Sequence, residues 1–290
     1  MTDLANQIIT GLSIASILLL VSLGLAIIYG VMGVINLAHG DFLMLGAYAV
    51  WLMESALGLG FLPCLVMVFF IVGAIGWLVE RTLIRHLYGR PLDTILATWG
   101  IGIILQQAIR LSAGAQLRYV KMPDYLVNPL HLLGLDISAY RLLIFSVTIV
   151  LVAVTYILIF HTSFGIRLRA VMQNAEIARC FGINNARIYS LTFAYGAGLA
   201  GLAGALVSPL KSVSPDMGTN YVVDAFLVVV SGGVQSLFGT VASAGIIGEL
   251  SGGFAYFWND TLARALLFFL VVVLIRFRPQ GIFAMPLRRG

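Results

Sequence analysis

Apolar runs of about 20 residues recur along the chain, separated by short polar stretches. They lie at 8–30, 36–57, 61–80, 95–112, 141–160 and 190–209. A glycine-broken stretch follows at 222–254, and a last run at 260–277. About 20 mostly apolar residues suffice to cross the hydrocarbon core of a bilayer as a helix. The pattern therefore predicts an all-α polytopic bundle of about eight spans in one domain, residues 1–290. The runs are too long and continuous for the alternating signature of a membrane barrel.

Two of the runs are interrupted in related ways. Residues 30–46 read GVMGVINLAHGDFLMLG, in which Gly30, Gly33, Gly40 and Gly46 accompany the polar Asn36, His39 and Asp41. The Gly33-Val34-Ile35-Asn36-Leu37 stretch returns as Gly233-Val234-Gln235-Ser236-Leu237. Non-helical backbone at membrane depth is tolerated only inside protein or along a cavity. Residues 30–46 are thus either a turn between two spans or a discontinuous helix. Residues 222–254 form either a re-entrant pair of half-helices or two short tilted spans. Glycine-interrupted segments in corresponding halves point to a transport pathway. The run at 190–209 carries Ala194 and Gly198, Ala197 and Gly201, and Ala200 and Gly204 at spacing four. Such ridges bring helix backbones close together, within the chain or at a subunit interface.

One polar stretch, 161–189, has helical order outside the spans. From Thr162 it reads TSFGIRLRAVMQNAEIARCFGINNARIYS. Ser163 is the expected N-cap of a helix running through Phe181, which Gly182 ends in the left-handed conformation. Asn184 or Asn185 caps the next helix. Val171, Ala175 and Ala178 share one face of the first, with Arg167, Gln173, Asn174, Glu176 and Arg179 along its edges. The small apolar face suits a groove on a protein better than insertion into lipid. The longest of the other polar stretches, Leu111 to Tyr140, is broken by Gly114, Pro123, Pro129 and Gly134. It is either a receiving surface for a delivery protein or a solvated lid.

Composition agrees. Hydrophobic residues make up 60% of the chain and charged ones 10%, against about 45–50% and about 25% in soluble domains. Eleven of the seventeen Lys and Arg residues fall on one side if the spans alternate. They are Arg81, Arg85 and Arg90; Arg167, Arg169, Arg179 and Arg187; and Arg276, Arg278, Arg288 and Arg289. The positive-inside rule puts that side, and the C-terminus, in the cytoplasm and the N-terminus outside. The net charge of +5 follows from this topology and does not call for nucleic acid. No basic n-region precedes the first run, so it reads as a retained span in an inner membrane, in contact with lipid. Cys64 and Cys180 fall at different depths, read as buried small residues, and have no metal-type companions.

The residues then carry a resemblance. Ala175, Glu176, Ala178, Gly182 and Ile183 resemble the coupling loop of ATP-binding-cassette importer permeases. Val34-Ile35-Asn36-Leu37-Ala38-His39-Gly40 is similar to the signature of permeases for branched-chain amino acids and urea. Arg90 to Gly100, Asn220 to Phe226 and the tail Phe277 to Phe283 lean toward the urea branch. Urea-branch permeases can carry a longer N-terminal extension; here the first span begins almost at once, so what that extension contributes is expected to be missing. The resemblance implies an import permease for urea or, alternatively, branched-chain amino acids. It also implies two cytoplasmic ATPases, a second related permease and an external solute-binding protein. Arg169, Ala175, Glu176, Ala178, Gly182 and Ile183 are the expected ATPase-coupling residues.

The chemistry of the chain fits a subunit without its own fuel. Neither of its two lysines, Lys121 and Lys211, sits in a GxxxxGK[ST] loop. ATP is therefore expected on the partners, with no cofactor or metal on this chain. No HExxH or GxSxG motif suggests an enzyme. An ion-coupled carrier or a channel is the competing class, with His39, Asp41, Glu54, Asp224 and Glu249 as its titratable candidates. A neutral solute wants amides, hydroxyls and free backbone groups. Asn36, His39, Thr98, Gln106, Gln107, Tyr221 and Ser231 are the expected pathway residues.

Overall fold

The computed structural model describes residues 2–132 and 135–283. Arg288, Arg289 and Gly134 lie outside the described residues. The chain is an all-α bundle of eleven helices with one small hairpin among those residues. The first long helices are α1 (Thr2–Met32), α2 (His39–Leu57), α3 (Phe61–Thr82), α4 (Pro91–Ala113) and α5 (Ala139–His161). Two short helices follow, α6 (Ser163–Gln173) and α7 (Ala175–Cys180). The bundle closes with α8 (Asn185–Val207), α9 (Met217–Gly232), α10 (Leu237–Phe257) and α11 (Asp260–Phe277). Each apolar run became a helix because lipid offers the backbone no other partner. Six helices are long and apolar enough to span, namely α1, α3, α4, α5, α8 and α10; α9 is a shorter apolar helix.

Helix α8 is the hub. Its small residues do what their spacing predicts, and they do it inside this chain. Gly196 lies against Gly24 of α1, Gly201 against Gly46 of α2 and Val72 of α3, and Gly198 against Phe69 of α3. Gly204 meets the Leu43 carbonyl of α2, and Gly40 of α2 meets Gly218 of α9. Those to Gly24, Gly46, Leu43 and Gly218 are backbone-to-backbone contacts, while Val72 and the Phe69 ring meet α8 through side chains. Lipid tails are as apolar as leucine, so helices in a membrane adhere by close packing rather than by the hydrophobic effect. Glycine is required where a Cβ would strike the facing carbonyl. On the other side of α1, Gly248 of α10 rests on Ala15, and the Glu249 carboxylate fills the space over Gly11.

The two interrupted regions resolve differently. Gly33, at φ +64°, ends α1. The chain from Gly33 to Ala38 then runs back beside α1 until His39 Nε2 reaches the Val21 carbonyl at 2.9 Å. Val34, Asn36 and Ala38 are buried, so this is non-helical backbone inside the bundle and not an exterior turn. Residues 222–254 belong to two antiparallel helices joined by Gly233 to Ser236. Gly233, at φ +102°, ends α9, and the Ser236 hydroxyl accepts the Gly239 amide at 2.9 Å to start α10. The breaks touch: Gly30 faces the Val234 carbonyl. Of the two, α10 is long enough to cross a bilayer, whereas α9, with 16 residues, is a shorter apolar helix.

One end of the bundle gathers the described arginines of the predicted cationic side. There Tyr88 packs on Tyr189 with ring centroids 4.9 Å apart, and the Ile282 amide of the tail donates to the Ser231 carbonyl at 2.8 Å. At the opposite end the stretch after α4 contains an unpredicted antiparallel hairpin, Pro129–Leu132 with Leu135–Ser138. Tyr140 is buried there and donates to the Leu206 carbonyl at 2.8 Å.

Gly204→Val would drive a branched side chain into the Leu43 carbonyl. It is expected to destabilise the protein by about 3 kcal/mol or more and to lower the yield of monodisperse protein on size exclusion. A Cβ at Gly245 would meet no atom within 4 Å, so Gly245→Ala is expected to leave stability unchanged or raise it by at most about 1 kcal/mol of helix propensity, seen as an equal or slightly higher apparent Tm.

Candidate functional site

Two regions carry the predicted residues: the buried break between α1 and α2, and the α6–α7 cap at the arginine-rich end.

At the break, the backbone groups are satisfied by side chains chosen by position. The Leu37 amide donates to Thr98 Oγ1 of α4 at 3.2 Å, and Thr98 in turn donates to the Ile95 carbonyl at 3.0 Å. Asn36 Oδ1 accepts the Ala38 amide at 3.0 Å. Because a carbonyl only accepts, His39 must carry its proton on Nε2, where it donates to Val21. His39 Nδ1 and Asn36 Nδ2 are buried and find no partner among the described residues. One is an acceptor and the other a donor.

From the break a polar ladder climbs α4. Asp41 does not cap α2; its Oδ1 accepts from Gln106 Nε2 at 2.8 Å, and its other oxygen faces Gly102. One turn on, Arg110 donates to Gln107 Oε1 at 3.0 Å and pairs with Asp216 just ahead of α9. Asn36, His39 and Thr98 thus lie at the break and Gln106 on the ladder beside Asp41, with Gln107 exposed at the Arg110 end of the ladder. Tyr221 and Ser231 are not part of it. Tyr221 lies near the top of α9 beneath Lys211. Ser231 is at the other end of α9, its hydroxyl turned back to the Leu227 carbonyl. The ladder residues Asp41, Arg110 and Asp216 were not foreseen as a set, because their contact joins segments far apart in the sequence.

The cap is built from two helices instead of the single one expected from Ser163 to Phe181. Thr162, not Ser163, is the N-cap of α6, accepting the Gly165 amide at 3.1 Å. Asn174 interrupts the helix at φ −158° and restarts it, accepting the Glu176 and Ile177 amides at 3.0 Å each. Such a restart suits an asparagine, whose side chain competes for local amides. Gly182 adopts the left-handed conformation as expected, φ +80°, and the Ile183 amide closes the motif on the Ala178 carbonyl at 3.1 Å. Asn184 caps α8 through the Arg187 amide at 3.1 Å.

Contacts beneath the cap anchor it to the bundle. Leu168, Val171 and Ala178 are buried against Leu23, Ile27 and Val31 of α1 and Ile188 and Leu199 of α8. Asn185 Nδ2 donates to the Ala175 carbonyl at 2.6 Å. Arg169 donates to the Ile159 carbonyl at 2.7 Å and lies 5.2 Å over the Phe160 ring; it clasps α6 to the end of α5. Glu80, fully buried at the end of α3, accepts hydrogen bonds from Tyr88 at 2.5 Å and from Ser190 of α8. Burial and the adjacent carboxylate push the Tyr88 phenol well above its usual pKa, so it remains a donor. Facing away from the bundle are Glu176, Ile177, Arg179, Cys180 and Phe181, the last 83% exposed. The bland reading of Cys180 as a buried residue is therefore wrong. Ile177 and Phe181 are apolar side chains on an otherwise charged cap, a signal present in the sequence but passed over.

The family model described as branched-chain amino acid transport system / permease component matches residues 7–275. The chain is 28% identical over 294 residues to the high-affinity branched-chain amino acid transport system permease protein BraD of Pseudomonas aeruginosa, covering 97% of this chain and 96% of that one. To the LivH permease protein of the corresponding Escherichia coli K12 system it is 27% identical over 300 residues, with coverage of 97% and 96%. To LivM of the same strain it is 25% identical over 297 residues, covering 94% of this chain and 69% of LivM. No solved structure matches.

Asn174→Ala removes two capping bonds and is expected to cost about 1 kcal/mol. Hydrogen exchange at the Glu176 and Ile177 amides should quicken roughly fivefold, while the amides of α8 beyond Ser190 stay unchanged.

Proposed function

Since the chain belongs to the branched-chain amino acid transport permease-component family, we propose that it is one membrane subunit of an ATP-driven importer of branched-chain amino acids. The observation that carries this reading is the anchored cap with an exposed apolar-and-charged face, joined to full-length similarity with permeases of that name. Urea, favoured by the stretches at 90–100 and 220–226, is the second reading; the names of the relatives favour the amino acids.

In this reading the whole chain is one domain, and 161–189 is its coupling loop. The loop faces the cytoplasm, together with the C-terminus. ATP is bound by two partner ATPases, and α7 is seated in a cleft on one of them through Glu176, Ile177, Arg179 and Phe181. The residues expected to couple then divide their work. Ala178, Ile183 and Gly182 shape α7 and its exit, Ala175 is held by Asn185, Arg169 holds α6 to α5, and Glu176 touches the partner. Movement of α7 reaches α8 directly and α1 through Val31, and α1 ends at the buried break. The ladder from Asn36 through Thr98 and Gln106 to Gln107 is where a solute would pass. Its unpartnered donor and acceptor, Asn36 Nδ2 and His39 Nδ1, suit a small polar solute. Similarity to both LivH and LivM supports a second related permease beside this one, and a solute-binding protein docks on the outer end.

The test is uptake in proteoliposomes holding the chain with its partner permease, ATPases and binding protein. Labelled leucine is expected to accumulate only with ATP inside, and labelled urea not at all. Urea accumulation without leucine would transfer the assignment to the second reading, and uptake following a proton or sodium gradient without ATP would remove both. Phe181→Ala is expected to lower co-purification of the ATPases and ATP-driven uptake at least about tenfold, the loss of a buried aromatic anchor being about 2 kcal/mol or more.

A further inference from the structure

At the end of the bundle opposite the cap, α1, α9, α10 and α11 enclose an open cleft of about 650 Å³. It lies apart from the ladder on α4 and holds a different chemistry. Its floor is apolar, formed by Ile17 and Leu18 of α1, Ile247 of α10 and Leu267 of α11. Its rim carries both signs of charge. Asp224 of α9, with 18% of its side chain exposed, accepts from Arg264 of α11 at 3.1 Å. Lys211 lies 5.8 Å over the ring of Tyr221, one helical turn before Asp224. Asn220 and Thr261 add polar groups at the mouth.

Two cations and one carboxylate above an apolar floor match a specific shape of ligand. An α-amino acid carries an ammonium and a carboxylate at one end and, when apolar, a branched hydrocarbon at the other. The volume lies within the roughly 300–1,000 Å³ of small-molecule sites, which combine apolar walls with a few placed polar groups. Guanidinium groups recognise carboxylates by two parallel hydrogen bonds. A neutral solute such as urea makes no use of opposed charges.

We propose that this cleft is an outer station for the transported amino acid, in which Asp224 receives the α-ammonium, Arg264 and Lys211 receive the α-carboxylate, and the side chain lies on the Leu18–Ile247–Leu267 floor. The Asp224–Arg264 ion pair opens to admit the zwitterion, whose two charges replace the partners each side chain gives up. The inference rests on the branched-chain amino acid reading above and adds a site to it. α11 supplies Arg264 and so becomes part of the recognition surface.

The test uses the permease–ATPase complex in lipid nanodiscs and the complete transporter in proteoliposomes. Equilibrium binding of labelled leucine to the nanodisc complex is expected to saturate. Leucinamide and 4-methylpentanoate, each lacking one charge, should compete at least about tenfold more weakly than leucine. Asp224→Asn and Arg264→Gln should each weaken leucine binding, and raise the KM for uptake, by about tenfold or more. The double exchange Asp224→Arg with Arg264→Asp restores an ion pair but reverses the charges over the floor. It should keep ATPase co-purification while remaining deficient in leucine binding. Recovery of wild-type binding in the exchanged protein would make the pair purely structural and overturn the proposal. So would a phospholipid that co-purifies in the cleft and excludes leucine, or equal competition by the singly charged analogues. Normal leucine uptake by both single variants overturns the cleft alone, whereas wild-type uptake of urea without leucine overturns the amino acid reading beneath it.

Discussion

A peptide group in lipid must find its hydrogen-bond partner within the protein, and this requirement governs the bundle from the α1–α2 break outward. Helices meet it internally. The stretch from Gly33 to Ala38 cannot, and survives at depth only because Thr98, Asn36 and the surrounding helices supply partners and exclude lipid. The surrounding helices can come that close because α8 presents glycine where α1, α2 and α3 cross it. Close backbone contact replaces the hydrophobic effect as the adhesive, and it also concentrates the polar groups of the break at the centre of the molecule.

The same packing connects the exterior cap to that centre. Leu168, Val171 and Ala178 of α6 and α7 rest on α1 and α8, and Glu80 ties α3 to α8 at the same end through two hydroxyl donors. A buried carboxylate is costly unless its oxygens are satisfied, so Tyr88 and Ser190 are needed as a pair. The cap is therefore packed onto the bundle and is not a free loop. The cap rests on α8 and on α1, and α1 ends at the break. The cleft around Asp224 and Arg264 sits at the far end of α1 from the cap, so the same helix is in contact with both.

Much of this was legible beforehand. The spans agree with the helices to within a few residues because a continuous apolar run in lipid has no alternative to a helix. Gly182 and Asn184 were readable because their roles are local: a left-handed residue ends a helix, and an amide side chain starts one. The failures were of a different kind. Asn174 splits the cap helix through a capping choice that a good helical pattern concealed. The contacts of Arg169, a carbonyl and an aromatic ring of the preceding helix, were not visible in its spacing. Tyr221 and Ser231 lie towards opposite ends of α9, Tyr221 on the cleft beneath Lys211 and Ser231 bonded back to the Leu227 carbonyl, a separation that local spacing does not display.

The sequence by itself determined the membrane environment, the helical class, the positions of the spans and the two interruptions, since hydropathy and glycine act over neighbouring residues. It also marked the ordered polar cap as the exceptional surface. Only the tertiary structure decided whether each interruption stays inside the bundle or turns at its end, which polar residues meet as a ladder, and that Asp224 and Arg264 face each other across a cleft. Those outcomes depend on which helices pack together and at what height. That choice is set by the fit of surfaces distant in the chain, and no local pattern encodes it.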